Sequence, residues 1–438
     1  GILRENAPHL VHNLPFVVPN YEWWEAPFYG IGLRLYDLLA GRYGFGRSRN
    51  LSRQQTLERI PTVETNGLRG GVIYYDGQFD DARLAINLMQ TAVEQGACCV
   101  NYAEVVALLK SAEGMVEGAV VWDRETGHES SVPARAVINA AGPFADLLRI
   151  MDDPDTPRMI RPSQGVHIVL DRRFLPRDSA IMVPHTDDGR VLFAIPWLDR
   201  VVVGTTDTPI SDVCEEPLPL EEEITFLLEH AARYLAEDPT EEDILSVFAG
   251  IRPLVDAGEG STAALSRDHT LHISRSGLVT ITGGKWTTYR KMAEDTVDQA
   301  EAVAQVNPAP CVTKTLRIHG YVEPADALTP WAAYGSDALE LNNLLAHRPG
   351  LDRKLHDRLP VTTVQVIWAV LHEMARTVED VLARRTRALL LDARAAREAA
   401  EDTAAILAAE LGRDAAWIQQ QAEEFRQLAE RYLPKGLV

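Results

Sequence analysis

The stretch ITGGKWTTYR, residues 281–290, places two glycines between a predicted buried strand (278–282) and a predicted helix that extends to about residue 305. Because Gly283 and Gly284 lack a Cβ, their backbone N–H groups can approach an anionic or electron-rich ligand at the positive end of the helix. Lys285 puts a cation in the first turn, where the helix dipole disfavours it, so it is a candidate functional residue. The stretch also fits a tight strand–helix turn with Lys285 in solvent.

A second glycine turn lies earlier in the chain. Asp80 or Asp81 can cap a helix that ends near Gly96, and a buried strand further on runs into Gly142. The order of elements is therefore a helix, a small antiparallel sheet and then a buried strand. This order indicates an α/β fold whose parallel sheet is interrupted. The strands predicted for this part are residues 98–102, 116–122 and 136–140.

Three other segments have different patterns. Residues 159–210 predict four antiparallel strands joined by turns such as Asp188-Gly189. Residues 330–433 are rich in Ala, Leu, Arg and Glu and predict a separate helical domain. Residues 1–70 predict a packed helical cover. The aromatic stretch 21–36 also fits a surface that rests on a membrane or admits a quinone.

Two arginines and a histidine are the remaining candidate site residues. Arg252 ends an apolar strand, where its guanidinium can bind phosphate or carboxylate oxygens or form an internal ion pair. Arg267 has the same two interpretations, and the adjacent Asp268 can neutralise it. His167 alternates with apolar residues on a predicted strand. It is either a structural histidine or a base beside a reacting hydroxyl.

Composition excludes several classes of function. Lys+Arg number 43 against 63 Asp+Glu, a formal net charge of −20, which argues against a nucleic-acid partner. The four cysteines include no CxxC pair, which argues for a reducing compartment and against a structural zinc or iron–sulfur site. No apolar run approaches the roughly 20 residues of a membrane span, and the first residues do not form a signal peptide. We therefore expect a cytoplasmic protein without a metal centre.

Taken in order, the motifs resemble FAD-dependent glycerol-3-phosphate dehydrogenases, in the D-amino-acid-oxidase-like branch of flavoproteins. The resemblance implies a two-dinucleotide-fold α/β flavoprotein with an antiparallel-sheet substrate domain and an all-α C-terminal domain. Eight motifs, followed by the helical stretch 375–393, carry it: DGQFDDARL (76–84), VINAAGPFAD (137–146), PSQGVHI (162–168), IPW (195–197), GTTD (204–207), GIRPL (250–254), SRDHTL (266–271) and GGKWTTYR (283–290).

The resemblance also implies a division of the chain into domains. It has an FAD-binding domain, a substrate-binding antiparallel β domain and a C-terminal helical domain, with a helical cover over the substrate domain. The FAD-binding domain is expected to comprise residues 71–150 and 275–306, and the substrate-binding domain residues 151–274. The C-terminal domain is expected to comprise residues 311–438, and the cover residues 1–70.

The implied reaction is oxidation of sn-glycerol 3-phosphate to dihydroxyacetone phosphate, with hydride passing to FAD and electrons to a membrane quinone. Arg252 would bind the substrate phosphate with help from Arg267, and His167 would be the base for the C2 hydroxyl. Lys285 would lie beside the flavin and the substrate. Backbone contact near the adenine is expected from Val105. The remaining implied FAD-lining residues are Gly142, Gly283, Gly284 and Thr287.

One departure keeps alternatives open. The family begins with a strand, a GxGxxG loop and a helix, and no GxGxxG occurs in this sequence. We therefore expect the chain to lack the opening FAD-binding segment. A non-catalytic fragment or pseudoenzyme stays an alternative, and so does a glycerol-3-phosphate oxidase that uses oxygen. Peripheral contact with the inner face of the cell membrane and a homodimeric assembly are both open.

Overall fold

A computed structural model describes residues 1–41, 44–184, 186–187, 189–255, 269–323 and 331–437. Most strands and helices fall within a few residues of the predicted positions. The strands are β1 Val11–Asn20, β2 Arg49–Ser52, β3 Gly70–Phe79, β4 Ala103–Lys110, β5 Val116–Asp123, β6 Glu129–Pro133, β7 Ile138–Asn139, β8 Ile160–Asp171, β9 Ala180–Val183, β10 Leu192–Trp197, β11 Arg200–Gly204, β12 Thr208–Pro209, β13 Ile244–Val255, β14 His269–Ile273 and β15 Val279–Gly283.

The α-helices are interspersed with strands in the first part of the chain and dominate its last quarter. They are α1 Ile2–Asn6, α2 Glu25–Ala40, α3 Arg53–Arg59, α4 Asp81–Glu94, α5 Ala145–Asp152, α6 Glu221–Ala232, α7 Tyr289–Val303, α8 Ala338–His347, α9 Thr363–His372, α10 Ala388–Leu391, α11 Ala393–Glu398, α12 Ala400–Leu411 and α13 Ala415–Glu430.

A large sheet is the centre of the fold. Within the described residues it has nine strands in the order β12-β8-β11-β10-β9-β1-β3-β2, with β13 paired to β8 as well. All of its pairings are antiparallel except that of β1 with β9. One face carries the main apolar core, including Val17, Ile168 and Val203, covered by α3 and α6. The other face carries Phe16 and the half-buried His167.

Residues 1–70 are not only a helical cover. β1 is a ten-residue strand inside the large sheet, and β2 pairs with β3. The correction has a simple physical reason. The segment contains Pro15 and Pro19, and proline is typical of turns, yet a proline can occupy a strand position that has no ladder hydrogen bond to donate. The apolar residues around them are buried by their strand neighbours.

Two small sheets accompany the large one. β4, β5 and β6 form an antiparallel meander, and β14, β15 and β7 form a sheet in which β15 and β7 run parallel. The strand predicted at 98–102 is wrong, because β4 begins only at Ala103. Residues 97–100 find no strand partner within the described part of the chain, and the side chain of Val100 is 68% exposed.

The helices α9 to α13 pack into a separate core around Val381, Leu407 and Phe425. Charged side chains, together with uncharged ones such as Tyr102 and Thr377, make this domain's contacts with the rest of the chain. Arg83 on α4 forms a 2.6 Å ion pair with Glu373, and neither side chain is more than 1% exposed. The α/β fold with an antiparallel sheet and a helical C-terminal region is therefore confirmed.

His319 joins the segment before the C-terminal domain to α4. Its Nε2 lies 2.9 Å from Asp337 Oδ2, and its Nδ1 lies 2.5 Å from Glu94 Oε1. The hydrogen bond with Asp337 is the main cause that raises the pKa of His319 to about 9, and the bond with Glu94 adds to it. The folded protein therefore binds this proton more tightly than the unfolded chain does.

The expected consequence is a pH-dependent contribution to stability. The contribution of His319 is complete below its unfolded pKa of about 6.5 and is lost as pH rises towards 9, with a total of about 3 kcal/mol. His319→Gln should therefore melt below the parent at pH 6, and the two should converge by about pH 9.5. Thermal melts across this range test it. A gap of constant size at every pH would contradict the prediction.

Candidate functional site

Arg252 lies on β13 opposite Ser163 of β8. Its guanidinium folds back over Gly165, where an added Cβ would lie only 2.3 Å from Nη2. Nη2 donates to Thr205 Oγ1 at 3.0 Å, and Nη1 lies 3.4 Å from Asp207 Oδ1. The side chain is 36% exposed, so the guanidinium is oriented by these neighbours while part of it faces open space.

His167 is on the same face of the sheet as Arg252. It follows Gly165 by two residues on β8, and alternate strand residues share a face. Its ring stacks on Phe248 with centroids 5.2 Å apart, and a Cβ on Gly204 would meet the ring at 2.1 Å. Burial, followed by the positive charge of Arg252, lowers the pKa of His167 to about 4. The imidazole is therefore neutral at physiological pH.

A buried carboxylate fixes the loop beside this pair. Glu223 accepts hydrogen bonds from Thr206 Oγ1 at 2.9 Å and Thr208 Oγ1 at 2.5 Å through Oε1. Its Oε2 accepts from Gln164 Nε2 at 2.8 Å and from the backbone of Leu220 at 3.0 Å. Because both oxygens are satisfied, a buried charge is tolerated here. The network ties β8, the loop after β11 and the start of α6 together.

A cavity of about 790 Å³ opens on the face that carries His167. It is mostly apolar, with a few polar groups at its edges, as ligand sites commonly are. Its walls come from the large sheet, the start of α4, Trp286 and the C-terminal domain. The lining residues are Leu14, Phe16, Gly77, Gln78, Phe79, Asp81, Ala82, His167, Ile195, Trp197, Val202, Phe248, Trp286, Ala383, Arg384, Arg387 and Leu390.

The predicted glycine turns lie at one edge of the small parallel sheet. β7 and β15 run side by side in the same direction, so the turns that follow them leave at the same edge. Gly142, Gly283 and Gly284 all have positive φ, at 56°, 75° and 71°. A Cβ on Gly142 would meet nothing within 4 Å, so open space borders the backbone there. The short 3-10 turn Gly142–Phe144 also packs against β13, the strand of Arg252.

The other predicted site residues are more dispersed. Lys285 and Thr287 are exposed in the segment between β15 and α7, and among the described residues no carboxylate forms an ion pair with Lys285. Trp286 between them reaches the cavity. Val105 lies on β4, in a different sheet from the glycine turns, and is 37% exposed. Arg267 lies outside the described residues.

Sequence reasoning missed several residues at this site. Thr205 and Asp207 contact Arg252 from the GTTD motif, which resemblance identified without a role. Phe248 stacks on His167 four residues before Arg252 on β13, so the period-two pattern of a strand could have placed both on one face. Arg384 and Arg387 come from the C-terminal domain, and no local sequence pattern identified them as site residues.

The chain matches two family models. Residues 2–290 match the FAD dependent oxidoreductase family, and residues 275–418 match the C-terminal domain of alpha-glycerophosphate oxidase. The two matches overlap at residues 275–290, which include β15 and the start of α7.

Curated relatives agree with these matches. The chain is 40% identical to the mitochondrial glycerol-3-phosphate dehydrogenase of Arabidopsis thaliana, a match over 98% of this chain and 74% of that protein. It is 38% identical to the bovine mitochondrial glycerol-3-phosphate dehydrogenase, over 98% of this chain. The chain spans 62% of the length of the bovine protein.

A solved structure shows the same fold. The glycerol-3-phosphate dehydrogenase of Bacillus halodurans, determined in complex with FAD, superposes with a TM-score of 0.80 at 28% identity. The match covers 99% of this chain and 84% of that one. Together with the geometry above, these similarities assign the chain to a family: it belongs to the FAD-dependent oxidoreductases and, among them, to the glycerol-3-phosphate dehydrogenases.

Proposed function

We propose that this chain oxidises sn-glycerol 3-phosphate to dihydroxyacetone phosphate with FAD as the cofactor. The observation that carries the proposal is the placement of Arg252 and neutral His167 on one face of the large sheet. Arg252 would bind the substrate phosphate, because a guanidinium matches phosphate oxygens in both geometry and charge. Arg267 would assist it. The C2 hydroxyl would then lie towards His167.

The oxidation removes a hydride from C2 and a proton from the C2 hydroxyl. FAD, when bound, supplies the acceptor for the hydride. His167 accepts the proton. A base with a pKa near 4 is weak, but part of its low pKa comes from the charge of Arg252. A phosphate dianion on Arg252 would offset that charge and raise the pKa of His167 when the substrate is present.

The residues fit the cofactor in two respects. The positive-φ glycines at 142, 283 and 284 keep Cβ atoms away from the edge where the two parallel strands end. The cavity lined by His167 and Trp286 is large enough and apolar enough for a planar ring. In this proposal Gly142, Gly283, Gly284 and Thr287 line FAD and Val105 lies near its adenine. Lys285 adds a positive charge near the flavin, which favours acceptance of negative charge.

The second half-reaction would deliver electrons to a membrane quinone, and the exposed face of α2 supports this acceptor over oxygen. The helix packs the partly buried side chains of Tyr29 and Leu33 against the sheet. Its outward face carries large apolar side chains that are 56–78% exposed: Phe28, Ile31, Leu35, Leu38 and Leu39. Apolar surface of this extent usually marks a protein or membrane contact.

Positive charge accompanies this face although the chain is acidic overall. Arg34 lies on α2, and Arg47, Arg49 and Arg53 follow the helix and are exposed. An amphipathic helix with nearby arginines is typical of a surface that lies in the headgroup region of anionic lipids. We therefore place the chain in the cytoplasm, on the inner face of the cell membrane. Within the described residues, no helix is both long and apolar enough to cross a bilayer.

The double variant Leu35→Glu/Leu39→Glu tests the membrane contact. Two carboxylates on the apolar face should lower partitioning at least ~10-fold onto vesicles of phosphatidylcholine with about one-quarter phosphatidylglycerol. Co-sedimentation measures the bound fraction. Leu339→Glu, on the 64% exposed Leu339 of α8, is the matched control and should bind like the parent. Equal partitioning of all three proteins would contradict the proposal.

Substrate-dependent reduction of the cofactor tests the reaction itself. Anaerobic addition of glycerol 3-phosphate to the FAD-loaded protein should bleach the flavin absorbance, and glycerol should do so far more slowly. Reoxidation by a soluble quinone should then be much faster than reoxidation by oxygen. Rapid oxygen consumption without quinone would instead favour an oxidase, and no bleaching would overturn the proposed function.

A further inference from the structure

The C-terminal domain forms one wall of the cavity. Ala383 and Arg384 come from the π-helical turn Asp380–Arg385, and Arg387 and Leu390 follow it around the start of α10. These four residues line the same space as His167 and Trp286. The domain therefore contributes to the shape of the proposed ligand site.

The backbone at Arg387 has an unusual conformation. Its φ of 58° lies in the left-handed region, which residues other than glycine seldom adopt. It connects the π-helical turn to α10, and its carbonyl accepts hydrogen bonds from the backbone of Leu390 and Leu391 at 3.0 Å each. Left-handed residues and π-helical turns both occur preferentially at functional sites. The local backbone thus favours a specific placement of the Arg387 side chain.

That side chain joins the domain to the first turn of α4. The Arg387 guanidinium is 7% exposed; Nη1 donates to the carbonyl of Arg385 at 2.6 Å and Nη2 pairs with Asp80 Oδ2. The other oxygen of Asp80, Oδ1, accepts from the backbone N–H of Arg83 at 3.0 Å and so caps α4. One carboxylate therefore both begins the helix and binds the C-terminal domain.

The first turn of α4 is also part of the cavity wall. Asp81 and Ala82 directly follow the capping residue and line the cavity. One residue further on, Arg83 reaches Glu373 of the C-terminal domain in a fully buried pair. Two ion pairs of opposite polarity thus attach this turn to the C-terminal domain.

We propose that Arg387 is a positioning residue of the ligand site, which acts through Asp80 to hold the first turn of α4 at the cavity wall. The proposal rests on the proposed function in one respect, namely that FAD is the ligand whose binding depends on this wall. When Arg387 no longer holds Asp80, the turn would sample positions that do not match the ligand. The apparent affinity of the protein for FAD would then fall in proportion to the fraction of time that the turn spends in the matching position.

The test uses substitutions that preserve the local backbone. Arg387→Asn removes the guanidinium, and asparagine tolerates the left-handed conformation better than most residues do. Asp80→Asn keeps an oxygen that can cap α4 and removes the charge that pairs with Arg387. Arg376→Gln is the matched control: it breaks another pair between the C-terminal domain and the rest of the chain, with Glu125, at a position that does not line the cavity.

Two measurements are made on the full chain. Flavin-fluorescence titration gives Kd for FAD, which should rise at least ~10-fold in Arg387→Asn and in Asp80→Asn. The double variant should be no worse than either single variant, because both remove the same interaction. Hydrogen exchange of the first-turn amides of α4 should accelerate at least ~10-fold in both variants. Arg376→Gln should change neither quantity by more than ~2-fold.

The outcomes separate this proposal from the proposed function. Unchanged exchange in the first turn of α4 in Arg387→Asn overturns the positioning role, whatever happens to FAD. Faster exchange with an unchanged Kd also overturns it, because the turn would then not matter to the ligand. If the parent itself binds no FAD, the proposed function fails, while the exchange measurement still decides whether Arg387 holds α4.

Discussion

Replacing Arg252 with alanine is expected to lower kcat/KM for glycerol 3-phosphate at least ~100-fold, the scale of a lost charge-assisted contact to phosphate. The guanidinium already has its orientation set by Thr205 and Asp207, so little ordering is needed when phosphate binds. Arg252→Lys should recover only part of the loss, because an ammonium cannot make two parallel hydrogen bonds to phosphate. Steady-state kinetics with a soluble quinone measure the effect.

A substrate without a phosphate distinguishes a loss of phosphate binding from a loss of folding. The slow oxidation of glycerol, which has no phosphate, should be nearly the same in the parent and in Arg252→Ala. Arg173→Ala, which removes a surface ion pair with Glu237 in the same domain, serves as the matched control. If Arg252→Ala keeps the parent kcat/KM for glycerol 3-phosphate, Arg252 is only the internal ion pair with Asp207.

The second large effect is on stability. Arg83→Met should lower the free energy of unfolding by about 3–5 kcal/mol, because it leaves the carboxylate of Glu373 buried without its partner. Urea or thermal denaturation measures the loss. The double variant Arg83→Met/Glu373→Leu should regain most of it, since an apolar pair leaves no charge to compensate. A loss below about 1 kcal/mol in the single variant would show that water reaches this pair.

Local patterns predicted much of the fold. The four antiparallel strands predicted within 159–210 correspond to β8, β9, β10 and β11, and the two glycine turns were both located from the strands that precede them. The predictions for residues 1–70 and for residues 98–102 were wrong for opposite reasons. In the first, strand partners distant in sequence override the turn signals of Pro15 and Pro19. In the second, an extended segment lacks the neighbour that would make it a strand.

The candidate site was only partly predictable. Arg252 and His167 were identified because each breaks an apolar pattern, and their proximity follows from the pairing of β8 with β13. The contributions of Arg384 and Arg387 could not be found in this way. The segment around them follows the ordinary pattern of a packed helical domain, and Arg387 lies 307 residues after its partner Asp80 in the sequence. Tertiary docking alone brings them to the cavity.

The hydrogen bonds of Glu223 have a consequence for attempts to redesign this site. Four donors from three parts of the chain converge on its two oxygens. Glutamine would turn one acceptor into a donor, and aspartate is one methylene too short to reach the same partners. A library that varies the neighbouring loop for new substrates should therefore keep this position constant. Although Glu223 is not among the residues proposed to bind ligand, it limits which variants near Arg252 can fold.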